Sequence, residues 1–271
     1  MSAHDPLKAQ SLFARRYRIL STLGKGGAGA VYHARDESRG EEVALKVMHP
    51  ALAESETQRL RFLREFRAVS RLDHPLCLRV FEEGRDGDTY FYSMEYVRGG
   101  DLTQHLKAPE GARLKLLYQI AQALEHIHTQ RIVHRDLKPA NVLVVERDGV
   151  LTPKLADFGI AKLLDAEQTL TAAGTLVGTL AYMAPEQFRD EAIDARADLY
   201  ALGCMIYVMW TGRPPFTAKR HPMQLVQAHL AQPPTPLREL APEAPAWLED
   251  LAARLLLKDP QQRVQSEELQ T

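Results

Sequence analysis

A chain of 271 residues, 45% apolar and 25% charged, has an ordinary globular composition and can bury a core without disulfide or metal support. Its 34 basic and 35 acidic residues leave a net charge of −1, which excludes nucleic-acid binding by bulk charge and polybasic attachment to a membrane surface. Cys77 and Cys204 are too few and too far apart for a zinc site or a secreted disulfide framework, so a reducing cytoplasmic setting is expected.

Residues 1–16 read as an N-terminal extension without the apolar core of a signal peptide. From Tyr17 the pattern is strand-like: Tyr17 to Leu23, Ala30 to Ala34, Val43 to Val47, Arg79 to Phe81 and Tyr90 to Met94. One helix interrupts these strands, marked by Phe62, Phe66 and Val69, with Leu72 a further turn on. After Gly99-Gly100 the texture turns helical. Leu114, Leu117, Ile120, Leu124 and Ile127 mark one amphipathic helix. Leu199 to Trp210 is an apolar run of 12 residues broken only by Gly203, too short for the ~20 that span a bilayer, so it predicts a buried core helix. Met223 to Leu230 and Trp247 to Leu257 are two more helices. No membrane segment is expected in this chain. The pattern is α+β: a small β-rich lobe over about residues 17–95 and a larger helical lobe over 96–271, joined near Met94 to Asp101.

Gly24-Lys-Gly-Gly-Ala-Gly29 fits G-x-G-x-x-G, a weak signal alone. A strand, not a helix, follows it, which excludes a dinucleotide-binding turn, and no Lys-Ser/Thr pair completes a Walker loop. Glycines between two antiparallel strands can lie over a phosphate chain because nothing projects from their backbone.

Val43-Ala-Leu-Lys46 follows, with Lys46 17 residues after Gly29. Then come His134-Arg-Asp-Leu-Lys-Pro-Ala-Asn141, Asp157-Phe-Gly159 and Ala184-Pro-Glu186. The order and contexts match the protein-kinase signature set. The chain resembles a protein kinase from residue 17 nearly to its end. Lys138, two residues after Asp136, and Gly178-Thr-Leu-Ala-Tyr-Met-Ala-Pro-Glu186 resemble the Ser/Thr class, and most of all bacterial kinases of the eukaryotic-like type.

The resemblance implies a two-lobed kinase fold that uses ATP and Mg²⁺. It assigns Lys46 to the α- and β-phosphates and Glu65, 19 residues on, as its helix partner. Asp136 would accept the substrate's hydroxyl proton and Lys138 would steady the transferring phosphate. Asn141 and Asp157 would ligate Mg²⁺ with the hard oxygens that this ion requires. Gly24, Lys25, Gly26, Gly27, Ala28 and Gly29 would cover the phosphates. Val31, Ala44 and Leu143 would sandwich adenine, with Met94 behind it, the backbone of Glu95 to Val97 at its edge and Asp101 at the ribose. Asp198 would cap the backbone around His134 and Arg135, and Glu186 and Arg263 would form a buried ion pair.

Regulation is also implied. Arg135 would pair with a phosphate on the activation segment, where Thr169, Thr171 and Thr175 are the candidate phosphosites. Thr179 would bridge Asp136 and Lys138. Ala140 and Val208, standing where arginine-directed kinases carry acidic residues, imply substrates without that preference. The expected partners are proteins bearing Ser or Thr, with no nucleic acid, and a second copy of the chain for trans-autophosphorylation. Only five residues follow Ser266, so a longer natural protein is expected, continuing toward a membrane segment or sensor domain. Two rival readings are a pseudokinase, which the presence of Lys46, Asp136, Asn141 and Asp157 opposes, and a small-molecule kinase, which the segment ending in Ala184-Pro-Glu186 opposes.

Overall fold

The computed structural model describes residues 7–26, 29–159, 175–189, 191–218 and 221–264. The chain separates into two compact units, Met1–Arg98 and Gly99–Thr271, and the break falls within the stretch where the sequence changes texture.

In the first unit, β1 (Leu12–Phe13), β2 (Tyr17–Gly26), β3 (Gly29–Asp36), β4 (Glu41–Met48), β5 (Val80–Asp86) and β6 (Thr89–Glu95) form one antiparallel sheet, ordered β1-β2-β3-β4-β6-β5. Side chains alternate between its faces. Val43, Leu45, Val47 and Phe91 join Phe13, Tyr17 and Tyr32 in one apolar cluster, which leaves Ala44 and Lys46 on the other face. β1 lies inside the segment read as an extension. A two-residue strand has no periodicity to betray it; it exists because Phe13 buries its ring edge-on against Phe91, centroids 5.1 Å apart.

β2 runs past Leu23 into the glycine loop and pairs Lys25 with Ala30 and Gly26 with Gly29, so the loop is a hairpin tip from which no helix starts. At Gly29 a Cβ would sit 2.0 Å from the Val47 carbonyl oxygen, so only glycine lets β3 approach β4 there. Two helices, α1 (Pro50–Ala53) and α2 (Glu56–Val69), connect β4 to β5. Ser55 caps α2 by accepting from the Gln58 amide at 3.4 Å. Phe62, Glu65 and Val69 lie on its buried face.

The second unit contains α3 (Glu110–Thr129), the hairpin β7 (Val142–Arg147) and β8 (Val150–Leu155), then α4 (Thr175–Leu180), α5 (Ala195–Thr211), α6 (Pro222–Ala231), α7 (Leu237–Leu240) and α8 (Ala246–Leu255). Asp148 and Gly149, with φ of 52° and 75°, make the tight turn of the hairpin. On α3 Leu116 is fully buried while Leu114 is half-buried, because the covered face is wider than the periodic stripe suggests. α5 is buried from Ala197 through Trp210, as a helix apolar on all sides must be. It begins at Ala195, a turn before Leu199, because Asp194 accepts from the Arg196 amide at 2.9 Å. It ends at Gly212, whose φ of 73° is the left-handed cap that favours glycine. Among the described residues, no helix is long and apolar enough to cross a membrane.

Against α5 lies a buried polar chain. Lys258 Nζ donates to the Tyr200 hydroxyl at 3.2 Å, and that hydroxyl donates to His229 Nδ1 at 3.0 Å. His229 is fully buried, and its Nε2 has no hydrogen-bond partner among the described residues. Burial first, and the Lys258 charge second, push its pKa from 6.5 down to about 3. The unfolded chain therefore takes up a proton near pH 6.5 that the folded chain refuses until about 3, so this stabilisation is complete above 6.5 and lost as the pH falls toward 3. Between pH 7 and 5 the native protein is expected to lose about 2 kcal/mol more unfolding free energy than His229→Phe. Equal losses in urea titrations at the two pH values would contradict this.

Candidate active site

In the first unit, β4 and α2 bring Lys46 and Glu65 together. Nζ lies 2.6 Å from Oε1, and the side chains are 13% and 7% exposed. Ala44 stands opposite Met94 in the β4–β6 register, on the same face as Lys46. Val31 lies opposite Lys46 across β3–β4. The Glu95 amide donates to the Arg79 carbonyl at 2.8 Å, so an edge contact to a base from Glu95 would use its carbonyl.

The second unit gathers its charged residues around the segment before β7. Asp198, at the start of α5, accepts from the backbone amides of His134 and Arg135, each at 2.8 Å, and from His128 Nε2 at 2.9 Å. These bonds hold Arg135 at a φ of 66°, a strained value for a non-glycine residue. His134 is buried, which lowers its pKa and keeps the ring neutral. Its Nε2 donates to the Ala156 carbonyl at 3.0 Å, and its face stacks on Phe158 with centroids 4.6 Å apart. The segment preceding β7 is thereby tied to the segment following β8.

Asp136 is the centre of the cluster. Lys138 Nζ donates to its Oδ2 at 3.0 Å and to Thr179 Oγ1 at 3.2 Å, joining α4 to the group. Asn141 Nδ2 donates to Asp136 Oδ2 at 2.9 Å, to the Asp136 carbonyl at 2.8 Å and to the Asp157 carbonyl at 3.4 Å. All three contacts use the amide nitrogen, so they leave Oδ1 available to a cation. Asp157 has an exposed carboxylate and a φ of 51°. At Gly159 a Cβ would lie 2.8 Å from the Asp136 Cβ, so glycine is required for this close approach.

The family model for the protein kinase domain matches residues 17–271. This chain belongs to the protein kinase domain family. Its similarity is to bacterial serine/threonine kinases of the eukaryotic-like type. It is 42% identical over 259 residues to the DNA damage-responsive serine/threonine-protein kinase RqkA of Deinococcus radiodurans, covering 93% of this chain and 37% of that protein. It is 40% identical over 269 residues to serine/threonine-protein kinase Pkn1 of Myxococcus xanthus, covering 98% and 38%. The crystal structure of the Mycobacterium tuberculosis PknI kinase domain aligns with a TM-score of 0.73 at 31% identity, covering 97% of this chain and 96% of that one. The chain thus spans less than half the length of these curated relatives, and its two α+β units carry the kinase fold.

Other sequence-named positions of the kinase domain fall into place unevenly. Leu143 forms an isolated bridge with Asp101. Asp101 Oδ1 accepts from the Thr103 amide at 2.9 Å and from the Thr103 hydroxyl, capping a short turn. Val97 is half-buried. Glu186 and Arg263 pair at 2.6 and 2.8 Å with almost no exposure. Val208 is buried in α5. Gly27, Ala28, Thr169 and Thr171 lie outside the described residues, and Thr175 begins α4. Two contributors went unread in the sequence: His128, the third donor to Asp198, and Tyr92, which touches Glu65. An alternating strand that places Tyr92 two residues before Met94 was the available signal for the latter.

Proposed function

We propose that this domain transfers the γ-phosphate of ATP to Ser and Thr hydroxyls of proteins, including its own activation segment. The observation that carries the reading is the Asp136 cluster, a buried carboxylate held between Lys138 and Asn141. Asp136 accepts the hydroxyl proton of the substrate as its oxygen bonds to the γ-phosphorus and the bond to ADP breaks. Lys138, steadied by Thr179, keeps a positive charge beside the transferring group. Lys46, oriented by Glu65, binds the α- and β-phosphates of the same nucleotide.

Asn141 Oδ1 and the Asp157 carboxylate are hard oxygen donors of the kind Mg²⁺ requires, and they would hold it. Bound Mg²⁺ supplies charge neutralisation to the phosphates.

Autophosphorylation belongs to the same proposal, with Thr169, Thr171 and Thr175 as sites and a second copy of the chain as the partner in trans. Arg135 supports it: burial lowers its pKa, and its Nε is buried without a hydrogen-bond partner among the described residues. A phosphate carrying about two negative charges would satisfy that guanidinium. A cytoplasmic setting is proposed with it.

The test is incubation with labelled ATP and Mg²⁺, alone and with a generic basic protein, followed by phosphoamino-acid analysis and peptide mapping. Phosphoserine and phosphothreonine on protein, with label within 169–175, are expected. Nucleotide binding without any transfer would instead identify a pseudokinase. A fully active protein whose 169–175 segment is bare would overturn the autophosphorylation reading.

A further inference from the structure

Tyr92 occupies a position that the activity described above does not use. It is the direct partner of Lys46 in the β4–β6 register, so the two side chains leave the sheet on the same face. Phe91 points the other way, into the apolar cluster with Phe13 and Tyr17. The Tyr92 hydroxyl donates to Glu65 Oε1 at 2.8 Å, the same oxygen that Lys46 Nζ approaches at 2.6 Å. Its ring lies against Phe62 and Phe66 of α2, with centroids 5.2 and 5.7 Å apart, and the Lys46 ammonium stands 5.7 Å from the ring centre. Tyr92 and Glu65 are 4% and 5% exposed.

A glutamate buried to this degree needs both a counter-charge and hydrogen bonds. Its side chain has several rotors, and an ion pair with a still longer lysine fixes few of them. A buried tyrosine packed against two rings of α2 has little freedom left, so its hydroxyl is a rigid donor. Strand register supplies this donor from the sheet rather than from the helix, at a fixed place relative to Lys46.

We propose that Tyr92 is a positioning residue for phosphoryl transfer: its hydroxyl holds Glu65 in the rotamer that presents Lys46 to the phosphates of ATP. The proposal rests on the reading of Lys46 as a phosphate ligand. It separates phosphate from base. Met94, two residues on and on the same strand face, is the residue expected behind adenine, and the hydroxyl of Tyr92 does not reach toward it but to Glu65.

Tyr92→Phe retains the ring and its contacts with Phe62 and Phe66 and removes only the donor. With the full chain, kcat/KM for Mg-ATP is expected to fall about tenfold, the worth of one hydrogen bond to a charged group. ADP affinity, read by calorimetry, is expected to fall in parallel, while adenosine affinity stays within about twofold because no phosphate is involved. In a Glu65→Ala background the same change is expected to add less than about twofold, since the hydroxyl then has nothing to hold. Unchanged ADP affinity and kcat/KM in Tyr92→Phe would overturn the proposal. So would adenosine and ADP affinities falling together, which marks a packing role, or a full tenfold loss persisting without Glu65. If the native chain binds nucleotide but phosphorylates no protein, the functional reading fails, and the contrast between ADP and adenosine still decides the role of Tyr92.

Discussion

Asp136→Asn is expected to lower phosphoryl transfer to protein by about 10²- to 10⁴-fold, the usual worth of a positioned acid–base group. The substitution keeps the size of the side chain and removes its charge. An asparagine there can still accept from Asn141 Nδ2 through its amide oxygen, and the backbone bonds of His134 and Arg135 to Asp198 do not involve it. The fold and nucleotide binding should therefore persist while turnover collapses. Steady-state rates alongside ADP affinity separate the two effects. A variant that turns over within a few-fold of the native protein would remove Asp136 from the chemistry.

Arg263→Met is expected to destabilise the second unit by roughly 3–5 kcal/mol, because it leaves Glu186 as a buried charge without its counter-ion. The guanidinium also donates to the carbonyls of Leu257, Arg196 and Lys258, so its loss strands backbone acceptors after α8 and in the first turn of α5. Pairing it with Glu186→Leu should recover part of the loss, since removing both charges spares the cost of an unpaired one. Urea unfolding of the single and double variants measures this. A double variant as unstable as the sum of its singles would mean that the two side chains are not coupled.

What could be read from the sequence follows the range of the interactions involved. The meeting of Lys46 with Glu65, and of Lys138 with Asp136 and Thr179, was legible through the resemblance to protein kinases, whereas the bonds from Asn141 to Asp136 were not. The face of α2 that buries Phe62 and Val69 was legible because period and packing agree. β1 was not, since it depends on Phe13 reaching a ring some eighty residues away. Leu116 was missed because burial on α3 extends beyond a single stripe. His128 and Tyr92 were missed for a common reason. Each is an unremarkable residue in its own element whose hydrogen-bond partner lies on another element, Asp198 in one case and Glu65 in the other. Helix starts moved where a cap decided them, as Asp194 does for α5.

The proposed function requires that one nucleotide be bound by residues of both units. A crystal structure of the chain with Mg²⁺ and a non-hydrolysable ATP analogue tests that most directly. The account predicts Lys46 Nζ on the α- and β-phosphates, with Asn141 Oδ1 and the Asp157 carboxylate on a Mg²⁺ bound to those same phosphates. A nucleotide seated with its phosphates away from either Lys46 or Asp157, at concentrations that support turnover, would contradict it.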